Sequence, residues 1–214
     1  QAIHIGRSAT IPKTTHMSRE TFRLKGSYRL PQRISECILE LSKKIKEGSS
    51  NDIEEISPYK GSPPGARPIV IYGQNNEVIA RKISVAFNSY KNYGVNRITI
   101  LEKDKYLCSL LTSKGLDCET DSVLKLKGLE KECIVWSTSK IVEFEKEIKE
   151  FVYTILTRTS CLLIIAFDDN ISENYLGIFS LLNKERLIYF DEESEFKFIS
   201  KSKPYIDTFG IDED

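Results

Sequence analysis

Three short runs hold residues suited to phosphate chemistry: Ser27-Tyr28-Arg29, Lys127-Gly128-Leu129-Glu130 and Tyr153-Thr154-Ile155-Leu156-Thr157-Arg158. A guanidinium is a rigid fork of donors, charged at any relevant pH. Arg29 and Arg158 therefore suit the oxygens of a departing phosphoryl group, where negative charge concentrates. Gly128 lets the backbone approach a phosphate closely, because no Cβ intervenes. The flat face of Tyr28 suits stacking on a base, and equally suits plain core packing. Taken singly, an arginine is usually a surface residue and Lys-Gly-Leu-Glu an ordinary turn. Their order, and the elements they sit on, carry the weight.

Those elements alternate along the chain. Thr21-Phe22-Arg23-Leu24 alternates polar and apolar and reads as a strand running into the turn that holds Arg29. Pro31 suits the first turn of a helix whose buried stripe is Ile34, Ile38, Leu41 and Ile45. Residues 48–67, rich in Gly, Ser, Pro and acids, read as a loop, mobile in part. Ile69-Val70-Ile71-Tyr72 is a compact β-branched run closed by Gly73, and a helix with Val78, Ile79, Ile83 and Phe87 follows. Strands are expected near 97–101, 121–126, 132–137 and 161–167, with helices around Tyr106–Leu111 and over 143–157. Residues 172–183 read as one more helix and 186–190 as a late strand, followed by an irregular tail. The run 161–167 is apolar on both faces, as a central parallel strand is. Alternation of this length implies a parallel sheet covered on both faces. In such sheets ligands collect beyond the carboxyl ends of the strands.

At 214 residues the chain can bury one substantial core, and 40% hydrophobic with 29% charged residues is ordinary for a globular domain. No apolar run reaches the length of a membrane span. The five cysteines, at 37, 108, 118, 133 and 161, are scattered and never paired as Cys-x-x-Cys, which favours a reducing compartment and argues against structural zinc. Cys133 and Cys161 fall inside apolar runs, as buried thiols do. Only His4 and His16 are available for a histidine-based metal site. The 31 basic and 31 acidic residues cancel, so whole-chain charge gives no support for tight independent nucleic-acid binding.

In order and surroundings, the three runs resemble the motor motifs of superfamily-1 helicases of the UvrD/Rep/PcrA type. There a motif reading roughly Asn-Tyr-Arg-Ser comes first, then Ala-Lys-Gly-Leu-Glu ahead of an apolar strand, then a helix ending in Tyr-Val-Ala-Leu-Thr-Arg-Ala ahead of another. Gln1-Ala2-Ile3-His4-Ile5-Gly6-Arg7 is similar to the family's Gln-Ser/Ala-Ile-Tyr-x-Trp-Arg segment. The resemblance covers residues 1–168 and implies a second RecA-like domain, a P-loop NTPase-type α/β fold without its own phosphate loop. Residues 169–214 would be a C-terminal helix and strand extension with an acidic tail.

By the same resemblance, Arg29 and Arg158 are arginine fingers directed at ATP, and Gln1 senses the γ-phosphate. Tyr28 stacks on adenine, Gly128 and Arg7 line the nucleotide, and Glu130 accepts a hydrogen bond from the ribose. Ser122, Lys125 and Lys127 would touch single-stranded DNA. Three departures stand out: Gly6 where the family has an aromatic that stacks on a base, Leu124 where it often has histidine, and Thr159-Ser160 after the finger. There is no Gly-x-x-x-x-Gly-Lys-Ser/Thr loop and no Asp-Glu pair ahead of Gln1, so magnesium and the triphosphate would be held mainly by a partnering N-terminal RecA-like domain. Only about a hundred residues separate Arg29 from Glu130, too few for the large subdomain that UvrD-type enzymes insert there. The chain by itself is expected to be inactive and its parent to be a cytoplasmic ATP-dependent helicase or translocase, with no membrane partner. The alternative is a RecA-like binding or regulatory module that unwinds nothing.

Overall fold

The computed structural model describes residues 30–47, 62–102, 104–126, 129–138 and 148–205. Among these residues six parallel strands form one sheet: β1 (Ile69–Tyr72), β2 (Arg97–Leu101), β3 (Asp117–Asp121), β4 (Lys131–Ser137), β5 (Thr159–Phe167) and β6 (Ile188–Tyr189). Their order across the sheet is β3-β2-β4-β5-β1-β6, and every adjacent pair is parallel. The helices are α1 (Gln32–Cys37), α2 (Leu39–Glu47), α3 (Asn76–Asn88), α4 (Lys105–Ser113), α5 (Ile148–Leu156), α6 (Glu173–Ser180) and α7 (Glu192–Lys201).

Side chains alternate across a strand, so each central strand feeds two cores. Ile69, Ile71, Ile98, Ile100, Cys133 and Val135 meet Ile79, Ile83 and Phe87 of α3 and Leu107 and Leu111 of α4 on one face. Val70, Tyr72, Ile134, Trp136, Ile165 and Phe167 meet α1, α2, α5, α6 and α7 on the other. The sheet is thus covered on both faces, as the alternation of the sequence implies.

Five details differ from the sequence reading. Asp117–Asp121 is the strand, and 122–126 is a turn in which Val123 and Leu126 are buried. The expected strand at 121–126 followed its apolar residues; the true strand is polar because it lies at the sheet edge, where charges block further pairing. The helix begun at Pro31 is interrupted at Ile38, and the late strand shrinks to two residues, paired Ile69↔Ile188 and Val70↔Tyr189. Cys161 is only half-buried, unlike Cys133. The tail is not irregular throughout: α7 packs on β1, and its buried Ser194 accepts a 3.0 Å hydrogen bond from the Tyr72 amide. The expected strand at 21–25, residues 48–61 of the expected loop, and 143–147 of the expected helix lie outside the described residues.

Candidate nucleotide and strand edges

Because all strands run one way, their first residues share one edge of the sheet. Glu130 and Arg158 each stand one residue ahead of a strand, and β4 and β5 are neighbours with Lys131 opposite Thr159. The Lys131 amide donates to the Arg158 carbonyl at 3.0 Å, which brings the two positions side by side. Sequence reasoning puts ligands at the carboxyl edge; these two residues lie at the amino edge, because each closes the segment that leads into its strand.

The edge is fastened by residues whose role the sequence did not reveal. The Ser160 hydroxyl donates to the Lys131 carbonyl at 3.3 Å, and buried Thr159 donates to the Leu162 carbonyl at 2.9 Å. These two residues are one of the departures from the motif pattern noted in the sequence, and their hydroxyls are the one sequence signal that could have marked them as fasteners. Lys131 also meets Glu119 at 2.6 Å, and Thr99, itself buried, donates to the same carboxylate at 3.0 Å. The Lys131 hydrogen bond is the chief reason the Glu119 carboxyl lies below its ordinary range; partial burial opposes it. A fixed Lys131 fixes the backbone on which Glu130 stands.

Glu130 is exposed and Arg158 half-buried. Burial pushes the Tyr153 phenol up, and the Arg158 guanidinium pulls it back. The edge therefore holds a carboxylate acceptor and a permanent cation on rigid strand ends, an arrangement suited to a hydroxyl and an anion. Leu30 is buried at the start of α1, whose Gln32 and Arg33 amides donate to the Pro63 and Pro64 carbonyls in the segment leading into β1. Gly65 there has φ +64°, and a Cβ on it would lie 2.3 Å from the Pro31 Cβ, so only glycine fits this junction. Gln1, Arg7, Tyr28, Arg29, Lys127 and Gly128 lie outside the described residues.

Ser122 follows the last residue of β3 and so belongs to the opposite, carboxyl edge. Residues 122–126 form one tight turn: the Lys125 and Leu126 amides both donate to the Ser122 carbonyl, at 3.0 and 3.3 Å. Val123 and Leu126 anchor the turn in the core, and Leu124 and Lys125 point outward, Leu124 being 52% exposed. Of the described residues, Glu130 and Arg158, assigned to nucleotide, thus lie at one edge, and Ser122 and Lys125, assigned to DNA, at the other. An open depression of 690 Å³ on α4 and β3, lined by Lys105, Cys108, Ser109, Thr112, Ser113 and Thr120, contains none of them. Among the described residues no three His, Cys, Asp or Glu side chains converge to hold a metal ion. Nor, among them, is any helix long and apolar enough to cross a membrane.

No protein-family model and no curated protein matches this chain. Among solved structures it is similar to the C-terminal domain of a possible DNA helicase from Lactobacillus plantarum WCFS1. The TM-score is 0.55 and the identity 16%, over 78% of this chain and 100% of that one. The chain has the RecA-like α/β fold of that helicase domain. At this identity the likeness is one of fold, and it does not distinguish one helicase type from another.

Proposed function

We propose that this chain is the second RecA-like domain of an ATP-dependent DNA helicase or translocase of the UvrD/Rep/PcrA type, working in the cytoplasm. Arg158 and Arg29 reach the phosphates of an ATP held, with its magnesium, mainly by an N-terminal RecA-like domain. Gln1 senses the γ-phosphate, Arg7 and Gly128 approach the nucleotide, Tyr28 stacks on the adenine and Glu130 accepts from the ribose. Ser122, Lys125 and Lys127 grip single-stranded DNA. The observation that supports this reading is the side-by-side placement of Glu130 and Arg158 just ahead of neighbouring strands β4 and β5, in a fold shared with a helicase domain. Nucleotide touching both domains favours the closed pair, and a DNA grip on the far edge moves with that closure.

One observation favours the second reading, a nucleotide-responsive module that does not unwind. Between Arg29 and Glu130 the described residues form α1, α2, β1, α3, β2, α4 and β3, all strands of the one sheet or helices packed on it, in the interval where UvrD-type enzymes carry their large insertion.

Kinetics on the full-length protein separate the two. A guanidinium that meets charge growing in the transition state acts on kcat, so Arg29→Ala and Arg158→Ala should each lower kcat by about 10³-fold or more with little change in KM for ATP. Glu130→Ala should instead raise KM, because a ribose hydrogen bond is the same before and during the chemistry. Hydrolysis that survives either arginine change undiminished makes this domain a binding module.

A further inference from the structure

Glu102, at the carboxyl end of β2, is the one non-glycine residue with positive φ among the described residues, at 60°. An L side chain there crowds the following carbonyl, so the position carries conformational strain that its surroundings must hold in place. What the conformation achieves is visible in its contacts. The Glu102 carboxylate accepts the Val123 amide at 3.1 Å, across 21 residues of chain. Val123 opens the 122–126 turn, and its amide precedes the hydrogen bonds of that turn and finds no partner within it. Asp121 accepts the neighbouring Ser122 amide at 2.9 Å. Two carboxylates thus cap the start of the turn, one local and one delivered from another strand, and the remote one sets where the turn sits over β2. The negative charge of Glu102 also reaches the Tyr175 phenol of α6, adding to the upward push from burial.

We propose that Glu102 is a positioning residue for nucleic-acid binding: by capping Val123 it holds the turn in the conformation that presents Lys125 to a phosphate of a single strand. The proposal rests on the reading of Ser122–Lys127 as the DNA-contacting segment. Strain at Glu102 is then the cost of a rigid grip, and stability and affinity separate in a way that a purely structural residue does not allow.

The test uses the full-length protein and a fluorescein-labelled single-stranded oligothymidylate, with melting temperature, anisotropy and KM for ATP as readouts. Glu102→Gly relieves the positive φ and removes the cap. It should melt no lower than the native protein yet bind the oligonucleotide about tenfold more weakly, with KM for ATP unchanged. Glu102→Gln keeps an acceptor oxygen and should bind within about twofold of native. Lys125→Ala checks the underlying reading and should weaken binding with a shallower salt dependence. If Lys125→Ala weakens binding and Glu102→Gly does not, the positioning role is wrong and the DNA reading of the turn stands. If neither matters, both fall. A Glu102→Gly protein that melts well below native, or binds more tightly because a negative charge has gone, overturns the proposal.

Discussion

At the scale of single residues, the carboxyl end of β5 shows how charge and aromatic surface fasten this fold. Asp169 accepts the Tyr72 hydroxyl at 2.6 Å and faces Lys201 at 3.1 Å and Lys197 at 3.3 Å, and the Lys197 ammonium lies 4.8 Å from the Tyr72 ring centre. The Tyr72 hydrogen bond, then Lys201, hold the Asp169 carboxyl down to about 2. A carboxyl whose pKa falls on folding stabilises the native state only while ionised. The contribution is complete above the ordinary value of about 3.9 and fades as pH drops toward 2. The side chain is 54% exposed, so solvent screens the cluster and its worth is about 1 kcal/mol or less. Asp169→Asn should therefore lower the melting temperature by about 2–4 °C at pH 7. That gap should close between about pH 4 and pH 2 when melting is followed against pH. A gap that persists at pH 2 would mean that ionisation of Asp169 is not what holds the cluster.

Among the elements, α7 does more than its sequence suggests. Asp191 caps it, accepting the Ser194 amide at 2.9 Å, and three glutamates occupy its first turn, where the helix dipole favours them. Phe198 is wholly buried, stacked on Phe179 at 4.4 Å and close to Tyr189 and Phe167. Phe198→Ala should cost about 3–5 kcal/mol in denaturant unfolding, as loss of a buried aromatic does. Phe196, on the same helix and 70% exposed, should tolerate alanine within about 0.5 kcal/mol. Similar costs for the two changes would mean that α7 is not seated on the core in this way.

Across the whole molecule, the proposed reading has the candidate nucleotide edge supply only part of what hydrolysis needs. Arginines can stabilise a transition state, but the sequence carries no Gly-x-x-x-x-Gly-Lys-Ser/Thr phosphate loop, so on the proposed reading the triphosphate is held mainly by the partnering domain. The purified 214-residue chain should show no ATP turnover with single-stranded DNA, and no tight ATP binding by calorimetry. Turnover abolished by Arg158→Ala would show that a complete site lies within the chain.

Much of this was legible in the residues themselves. Apolar runs at 69–72, 97–101, 132–137 and 161–167 are strands because a parallel sheet buried on both faces demands unbroken β-branched and aliphatic stretches. The amphipathic stripes of α3 and α4 followed directly from helical spacing. The sequence reading set Glu130 ahead of one strand and Arg158 at the end of a helix leading into another, and the fold has them there. Edge strand β3 was not legible, since Asp117, Glu119 and Asp121 are charged where a core strand is not, and Arg97 and Lys131, the partners of Asp117 and Glu119, come from other strands. Helix α7 was hidden for a related reason: Phe196, Phe198 and Ile199 do not share one face, so its single deep anchor leaves no periodic stripe. Tertiary structure alone decided that Glu130 and Arg158 meet at the amino edge while Ser122 lies at the other. It alone also decided that Glu102 caps a turn 21 residues away. Local sequence encodes propensity and burial, but contacts across an edge depend on strand order, which the sequence does not display until the chain has folded.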